Sequence, residues 1–538
     1  MTIAELIMAD ARARNVQHFF GIPGGGSPLD LIEAGRKLGV DFISVNHESS
    51  AAIMAAYYGL MKGTAGLALT IRGVGAANLV GGVANVHFER VPMVAICESC
   101  PPSMASDQMI QHCDQLSLFS GLERYSQTLS VENAPLALQE AVFYATQGRP
   151  GPSLLNFPSD LGSAGCGPPL SSRPSFEAPS AQEGRIATCR EFLSRSRKPV
   201  VIAGADVVRE DAIWEFRTLV ESLGAAVLVT MDARGSFPES HHRWAGVFVG
   251  MFTPGIIESN LFEKADSVLL VGVDDLMTHG PWKSSLPTAE ILSDSQYKTL
   301  SQQPTVRVDG NLKTTLRALK TQPKAGFTSD EVKALRQEVL TLFRRPGGAR
   351  FTAQDIIEIC RKILPSDGIL FSETGVFICM LEHLWLVNEP RTYYGTSGGR
   401  TMGLTLPAVC GARLAEPERP MIGFGADGSL LMRLGELEVL ARTGIAVPLV
   451  IVNDQALGTM KARQKLRKMT SYALDLHPVC FENVARACGL NAATVDNPED
   501  FERELRVAMT SNRSMLIDAR VDSETYQDSF GRTVGMSE

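Results

Sequence analysis

Short apolar runs alternate with amphipathic stretches over the first 165 residues. The runs are typical of buried strands and read HFFGIP, FISVNH, GLALTI and VPMVAI. The stretches between them have apolar residues at helical spacing and read ELIMADARARN, SPLDLIEAGRKLG and ESSAAIMAAYYGLMKGT. Strands that alternate with helices indicate parallel βαβ units. We therefore predict a doubly wound α/β domain over residues 1–165.

The same alternation returns twice after a linker rich in Pro, Ser and Gly at 166–184. A second unit, 185–325, contains the strand-like runs KPVVIAG, AAVLVTM, SVLLVGV and PTVRVDG. A looser linker, 326–349, leads to a third unit, 350–538, with GILFSE, RPMIGFG and VPLVIVND. We predict an α/β protein of three doubly wound parallel-sheet domains. One sequence leaves open whether the first and third are structural duplicates.

Composition narrows the classes of ligand. The 538 residues are 44% hydrophobic and 20% charged, with 51 basic and 59 acidic side chains and a net charge of −8. This composition excludes general disorder and argues against a nucleic-acid or anionic-membrane partner. No run approaches the roughly 18 apolar residues of a membrane span, and the ten cysteines form no metal-binding array. We expect a cytoplasmic protein with small soluble ligands.

The segment GFGADG, at 423–428, matches the dinucleotide pattern G-x-G-x-x-G. However, Asp427 lies inside the loop that would approach a pyrophosphate, and its charge would repel the phosphates. A Mg²⁺-bridged diphosphate fits this loop better. Asp454 ends the next strand-like run and could complete the site, because strand ends meet at one edge of such a sheet. The alternative is two turn aspartates that cap helices.

A second candidate is Glu48, at the end of a strand-like run and before an apolar helix. Desolvation would raise its proton affinity, which suits it to share a proton with a ring nitrogen. Taken alone, a capping glutamate is the simpler interpretation. Two glycine clusters, GIPGGG with Gly24 and Gly25 and IRGVGAAN ending at Asn78, allow a ligand to approach the backbone closely. Singly, they are ordinary turns.

Together these elements resemble the thiamine-diphosphate (ThDP) enzymes of the acetohydroxyacid synthase, pyruvate decarboxylase and benzoylformate decarboxylase superfamily. Five segments match in family order over nearly the whole chain. They are NVQHFFGIPGGGSPLDLI, VNHESSAAIMAAYYGLMKGTAG, ANLVGGVANVHFERVPMVAI, TSGGRTMGLTLPAVCGARLA and ADGSLLMRLGELEVLARTGIAVPLVIVNDQALG.

The resemblance implies roles for individual residues. Glu48 matches the glutamate that bonds the aminopyrimidine ring, and Met402 the apolar wedge that bends the cofactor. Asp427, Asp454 and the carbonyl of Ala456 match the Mg²⁺ ligands. The cofactor-binding set comprises Gly24, Gly25, Glu48, Asn78, Glu373, Thr374, Gly375, Thr401, Met402, Ala426, Asp427, Gly428, Ser429, Asp454, Ala456, Leu457 and Gly458.

Gln111 and His112 stand in MIQHCDQLS, which resembles FQEVDQ near the family's substrate channel. The resemblance makes both catalytic candidates, with His112 as a possible proton donor. A structural or solvated histidine is the alternative. In this family the active site is shared between subunits, so the resemblance implies a homodimer or a tetramer. Glu48 would then come from one chain and the metal site from its partner.

Several positions depart from the acetohydroxyacid synthases. The usual Gly-Asp-Gly reads Ala426-Asp427-Gly428, Asn-Asn reads Asn453-Asp454, and Gln-His reads Val376-Phe377. Arg463, in LGTMKARQ, replaces a substrate-side tryptophan. It either binds a carboxylate, sulfonate or phosphonate of the substrate or is a solvated residue on the basic helix KARQKLRK. The central domain lacks a clear arginine pattern for FAD, and we expect no FAD.

The sequence thus predicts a ThDP- and Mg²⁺-dependent enzyme that acts on a 2-oxo acid. CO₂ would leave, and the remaining fragment would be protonated to an aldehyde or joined to an aldehyde or keto acceptor. Two alternatives stay open. One is a nucleotide-dependent oxidoreductase built on G-x-G-x-x-G, and the other is a catalytically inactive homologue that serves as a regulatory subunit.

Overall fold

Three six-stranded parallel sheets follow one another along the chain, each flanked by helices. The computed structural model describes residues 1–104, 109–170, 177–252, 255–279, 282–297, 303–343 and 350–522. The prediction of an α/β protein with three doubly wound parallel sheets is confirmed. The strands of each sheet fall inside the three predicted ranges, whose boundaries stay a prediction.

The first sheet has the strand order β2-β1-β3-β4-β6-β5. Its strands are β1 (His18–Gly21), β2 (Asp41–Ser44), β3 (Gly66–Thr70), β4 (Met93–Ser99), β5 (Tyr125–Thr128) and β6 (Pro152–Pro158). Its helices are α1 (Ile3–Ala13), α2 (Ser27–Leu38), α3 (Glu48–Lys62), α4 (Val74–Phe88), α5 (Gln115–Phe119) and α6 (Ala134–Thr146). Helix α1 begins with a capping box, in which the side chains of Thr2 and Glu5 each accept a hydrogen bond from the other residue's backbone amide.

The central sheet has the order β12-β11-β10-β7-β8-β9. Its strands are β7 (Pro199–Ala203), β8 (Ala226–Val229), β9 (Trp244–Val247), β10 (Ser267–Val271), β11 (Thr288–Leu292) and β12 (Val306–Asp309). Its helices are α7 (Glu183–Arg195), α8 (Asp206–Arg209), α9 (Ile213–Leu223), α10 (Ile257–Phe262), α11 (Leu312–Leu319) and α12 (Ser329–Leu340), with 3₁₀ turns at Met231–Ala233, Asp275–Met277 and Thr341–Phe343.

The third sheet has the order β14-β13-β15-β16-β18-β17. Its strands are β13 (Ile369–Ser372), β14 (Tyr393–Tyr394), β15 (Met421–Ala426), β16 (Pro448–Asn453), β17 (Asn491–Val495) and β18 (Met515–Arg520). Its helices are α13 (Ala353–Ile363), α14 (Ile378–Leu384), α15 (Thr405–Ala415), α16 (Asp427–Leu431), α17 (Glu436–Thr443), α18 (Gly458–Leu466), α19 (Phe481–Ala487) and α20 (Pro498–Thr510).

The third sheet lies between the other two domains. One of its faces shares a hydrophobic core with the first domain, and the other shares a core with the central domain. Helix α15 lies directly on α3 at Gly411, where a Cβ atom would come within 2.1 Å of the carbonyl oxygen of Met54. Only glycine allows the two helices to approach this closely. The candidate site residues of the first and third domains are thereby carried on one rigid packing unit.

None of the helices in the described part of the chain combines the length and the apolar character needed to cross a membrane.

Candidate functional site

Two aspartates meet at the carboxyl edge of the third sheet. Asp427 begins α16 directly after β15, and Asp454 follows the neighbouring strand β16. The Asp427 carboxylate accepts hydrogen bonds from the amides of Gly428, at 2.7 Å, and Gln455, at 2.8 Å. Asp454 accepts one from the amide of Ala456 at 3.1 Å. The two strand ends, 27 residues apart along the chain, are therefore tied together through the bond between Asp427 and Gln455.

The electrostatics of this pair favour a bound cation. Burial, and after it the negative charge of Asp454, raise the pKa of Asp427 to about 7. The two carboxylates are thus held close enough to oppose one another's ionisation. A divalent cation between them would offset that repulsion, and carboxylate oxygens are the ligands that Mg²⁺ prefers.

The turn after β16 supplies a third oxygen. Gln455 has a left-handed backbone with φ 56°, a conformation that costs free energy for a residue other than glycine and is common at functional sites. A short bridge to the chain near residue 475 uses the carbonyl of Gln455, bonded by Leu476, and the amide of Leu457, bonded to Leu474. The carbonyl of Ala456, the third predicted ligand, is not used by this bridge. The donor set of two carboxylates and one carbonyl fits Mg²⁺.

Glycines leave room around these oxygens. A Cβ atom on Gly458 would lie 2.2 Å from Oδ2 of Asp454, so a larger residue would displace that carboxylate. A Cβ atom on Gly428 would lie 3.2 Å from the side chain of Leu457 and 3.4 Å from Cε of Met402. Met402 and Leu457 therefore border the metal-ligand pair, as the resemblance implies. This glycine-lined cradle with acidic donors fits a diphosphate held through Mg²⁺.

Glu373 anchors the backbone at the strand end where it was predicted to meet the cofactor, and its cofactor contact stays a prediction. Its carboxylate, buried at the end of β13, accepts hydrogen bonds from the amides of Leu404 at 2.9 Å, Thr405 at 3.1 Å and Ala426 at 3.0 Å. Burial raises the pKa of this carboxyl group. The side chain thus fixes the start of α15 against the end of β15. In this structure its two oxygens accept hydrogen bonds from these backbone amides, and the nearby Ser429 hydroxyl also favours its ionised form.

A second buried glutamate, which the sequence reasoning missed, holds the other end of the same loop. Glu89 of the first domain accepts hydrogen bonds from the hydroxyl of Thr396 at 2.6 Å and the amides of Ser397 at 2.8 Å and Gly399 at 2.9 Å. The available signal was an acidic residue within the apolar stretch ANVHFERVPM. The loop 396–405 is therefore clamped by Glu89 and Glu373, one carboxylate from each domain.

This clamped loop carries Thr401 and Met402. Asn85 of α4 donates a hydrogen bond to the Thr401 hydroxyl at 2.8 Å, so that side chain, predicted to bind cofactor, is engaged by the first domain. The Thr401 amide bonds to the hydroxyl of Thr396 at 3.0 Å. Met402 is half-buried at the tip that faces Gly428.

The predicted residues of the first domain also come together at a sheet edge. Glu48 is the first residue of α3 and is 7% exposed, and the amide of Asn78 donates to its Oε2 at 3.1 Å. A Cβ atom on Gly75 would lie 3.4 Å from Oε1. Gly24 packs on Ile71, the residue that follows β3. No atom lies within 4 Å of the Cβ position of Gly25. Glu48 is therefore buried, with one carboxylate oxygen held by a side-chain amide, and its role toward a cofactor stays a prediction.

Gln111 and His112 lie beside this edge. Gln111 has a left-handed backbone with φ 60°, and its carbonyl oxygen is 2.4 Å from the Cβ position of Gly73. The side chain of Gln111 is exposed and that of His112 is half-buried. The structure brings both near the glycine cluster, and a catalytic role for either stays a prediction.

The remaining candidates flank the metal-ligand pair. Gly375 packs under the ring of Phe377, and Val376 contacts the Cβ position of Gly458 at 3.3 Å. The replacement of Gln-His by Val376-Phe377 thus gives this wall an apolar lining, with both side chains buried. Thr374 is half-buried beside them, and Ser429 is buried in α16. Arg463 is exposed on α18.

Three family models match the chain in the order of its three sheets. The thiamine pyrophosphate enzyme N-terminal TPP binding domain matches residues 1–118, the central domain 186–319 and the C-terminal TPP binding domain 373–519. The chain belongs to the thiamine pyrophosphate (ThDP) enzyme family. The family assignment accounts for both edges described above, since the first and third models are the TPP binding domains.

Individual relatives agree with this family. Acetolactate synthase large subunit of Buchnera aphidicola from Acyrthosiphon pisum and isozyme 3 of Escherichia coli are each 26% identical over 97% of this chain and 95% of their own. A Mycobacterium smegmatis protein described as a thiamin diphosphate-dependent enzyme superposes with a TM-score of 0.81 at 18% identity, covering 97% of this chain and all of that one. The last likeness concerns the fold alone.

The family context explains why G-x-G-x-x-G at 423–428 is not a dinucleotide fingerprint. In nucleotide-binding sheets the motif follows the first strand and opens a long helix. Here its first two glycines lie within β15, the third strand of its sheet along the chain, and its last lies in the five-residue helix α16. In this ThDP enzyme Gly425 makes room for the Glu373 carboxylate, and Gly428 makes room for Leu457 and Met402.

Proposed function

We propose that this ThDP enzyme uses Mg²⁺ to decarboxylate a 2-oxo acid, and that the remaining fragment is protonated or joined to a second carbonyl. The observation that carries the proposal is the pairing of the buried Glu48–Asn78 contact in the first domain with the Asp427–Asp454 pair in the third. Each alone has a structural explanation, but a family member that preserves both edges has the means to activate and to bind the cofactor. Acetolactate synthases at 26% identity support a reaction of this class.

Asp427, Asp454 and the Ala456 carbonyl would hold Mg²⁺ and, through it, the diphosphate. When bound, the cofactor supplies the electron sink for the charge that departing CO₂ leaves behind. Met402 and Leu457 would border the cofactor and exclude water, and the two glutamate clamps keep Met402 in position. A well-oriented reactive group at short distance accounts for a large part of such rate enhancements.

Glu48 would hold the proton that the chemistry needs. Asn78 donates to Oε2, which leaves Oε1, beside Gly75, to share a proton with a ring nitrogen. The amide also fixes the carboxyl plane. We propose that this edge serves the third-domain edge of a partner chain, so that the working unit is a homodimer or a tetramer in the cytoplasm. The ten cysteines, which form no disulfide with one another in the described chain, accord with a reducing compartment.

The test is Glu48→Gln, assayed for CO₂ release from a panel of 2-oxo acids with and without aldehyde acceptors. Glutamine keeps the shape but cannot exchange the proton, so turnover should fall about 10²- to 10⁴-fold while ThDP still binds. The matched control is Glu33→Gln, which replaces an exposed glutamate paired with Arg36 and should be neutral. Full turnover in Glu48→Gln would overturn the mechanism.

The same panel separates the alternatives. An inactive regulatory homologue would bind ThDP and release no CO₂ from any 2-oxo acid in the wild-type protein. A nucleotide-dependent oxidoreductase would retain nucleotide on purification and give no response to ThDP. Mass spectrometry of the products distinguishes protonation to an aldehyde from transfer to an acceptor.

A further inference from the structure

A cluster of three nitrogen-bearing side chains lies beside the clamped loop. Arg400 stands on this loop, His279 follows β10 in the central domain, and Arg463 is on α18. The Arg400 Nη1 atom is 3.2 Å from Nδ1 of His279. A guanidinium group only donates hydrogen bonds, so Nδ1 accepts and the proton of His279 is on Nε2. The clamped loop and the central domain thus meet at one hydrogen bond, and the charge of Arg463, on a third element, acts on both residues.

The charges of this cluster act on one another. Burial, followed by the positive charges of Arg400 and Arg463, lowers the pKa of His279 to about 3. The charge of Arg463 also lowers the pKa of Arg400, after the effect of burial. His279 is therefore a neutral donor at physiological pH, and the two guanidinium groups are near enough to repel each other.

Neither arginine has a carboxylate at ion-pair distance among the residues that the structure describes. Several surface arginines of this chain, by contrast, do form ion pairs. Arg442, Arg486 and Arg506 each bond a glutamate four residues earlier. Glu382, buried on α14, attracts Arg400 without an ion-pair contact in the same described set. Two neighbouring cations that make no ion pair with a described carboxylate can bind an anion between them.

The position of the cluster connects it to the reacting centre. Arg400 precedes Met402 by two residues and has a left-handed backbone with φ 45°, a strained conformation that the clamps of Glu89 and Glu373 sustain. Arg463 is on the helix that begins at Gly458, the residue packed on Asp454. Both arginines are therefore carried on segments that contact the metal-ligand pair, through Met402 in one case and Gly458 in the other.

The carboxylate that is lost as CO₂ is a poor ligand for such a cluster. Its charge leaves it as the bond breaks, so two cations bound to it would stabilise the starting state more than the transition state. A charged group that keeps its charge throughout the reaction carries no such penalty. Binding energy from a non-reacting part of the substrate instead helps to orient the reacting part.

We propose that Arg400, Arg463 and the Nε2–H of His279 bind a second anionic group, at the far end of the 2-oxo acid substrate. The inference rests on the proposed function and narrows its substrate class to 2-oxo acids with a terminal carboxylate, sulfonate or phosphonate. A bidentate contact with each arginine suits the planar or tetrahedral oxygens of these groups.

The first test compares substrates of similar chain length that differ in the group at the far end. 2-Oxopentanoate and 2-oxoglutarate both have five carbons, and 2-oxobutanoate is set against oxaloacetate, sulfopyruvate and phosphonopyruvate. Arg463→Ala should raise KM for the preferred dianionic substrate about 10- to 100-fold, with kcat and the neutral substrates changed less than about threefold. Arg463→Lys should recover part of the loss. Arg506→Ala is the control for the loss of a remote positive charge.

The second test does not depend on turnover, so it separates this inference from the proposed reaction. Cofactor-free protein is titrated calorimetrically with succinate, 3-sulfopropanoate, 3-phosphonopropanoate and, as the singly charged reference, butanoate. At least one doubly anionic probe should bind more tightly than butanoate, and Arg463→Ala and Arg400→Lys should each weaken that binding. Equal affinity for all four probes, or unchanged binding in both variants, would overturn the inference even if CO₂ release is observed.

Discussion

The first and third domains can be compared strand by strand. Counted along the chain, each sheet places its strands in the order 2-1-3-4-6-5, which answers the question that the sequence left open about their duplication at the level of topology. At its carboxyl edge the first domain places Glu48, bonded to Asn78, whereas the third places Asp427 beside Asp454. The shared topology supplies an edge where loops converge, and the residues at that edge decide the chemistry.

The central domain sharpens this contrast. Its strand order, read from the opposite end, is 3-2-1-4-5-6, the arrangement common in dinucleotide-binding domains. Yet its first strand is followed by Gly204-Ala205-Asp206, and the glycine pattern of the dinucleotide kind, GFGADG at 423–428, lies in the third domain. Neither a strand order nor a short motif identifies a ligand without the other.

Removing the third-domain carboxylate should have the largest effect. Asp427→Ala deletes a ligand that bridges two strand ends, so the apparent affinity for ThDP in the presence of Mg²⁺ should fall by at least about 100-fold. Calorimetric titration with and without Mg²⁺ measures this. Asp367→Ala, an exposed aspartate of the same domain, is the control. By contrast, Glu48→Gln should bind ThDP normally. If Asp427→Ala binds ThDP as tightly as the wild type, the third-domain edge is not the one that holds the diphosphate.

The loop between the domains provides the next test. Met402→Ala removes the side chain that reaches Gly428 from the clamped loop, and kcat should fall about 10- to 100-fold because the cofactor loses its orientation. Met402→Leu keeps most of the volume and should retain most of kcat. Steady-state kinetics at saturating ThDP distinguishes the two. Equal losses in both variants would mean that Met402 acts through general packing.

The two clamps should differ in strength. In Glu373→Gln the new amide group meets backbone amides that also donate, so one buried donor is left unpaired at a cost of about 2 kcal/mol. In Glu89→Gln the Thr396 hydroxyl can accept instead, and about 1 kcal/mol is expected. Denaturant unfolding measures both, and hydrogen exchange should show lost protection at Leu404 and Thr405 in Glu373→Gln.

An exposed glutamate of the third domain gives the control for the clamps. Glu418→Gln should leave both the unfolding midpoint and the exchange of the loop amides unchanged. If Glu373→Gln is as stable as the wild type and its loop amides stay protected, the loop is held by its apolar contacts. The contribution of the two carboxylates would then be small.

The sequence carried most of the fold and only part of the site. Long apolar runs such as those of β4 and β16 identify buried strands, while a two-residue strand such as β14 (Tyr393–Tyr394) has too little pattern to be recognised. Asp427 and Glu48 are visible because they interrupt local patterns at strand ends. Glu89 and His279 were missed because their partners are over 100 residues away, and no periodicity encodes such contacts.

The smallest expected effect concerns the position where the third domain departs from the synthases. Asp454→Asn retains an oxygen ligand but removes the charge that, after burial, raises the pKa of Asp427. Mg²⁺ alone should therefore bind more weakly, since one formal charge is lost. The Mg²⁺–ThDP complex should bind equally well or up to about tenfold more tightly, because repulsion of the diphosphate is also lost. Titrations with Mg²⁺ alone and with ThDP at saturating Mg²⁺ measure these two affinities separately. If both affinities fall together, Asp454 contributes mainly as an anionic ligand, and the third-domain edge depends on its second charge.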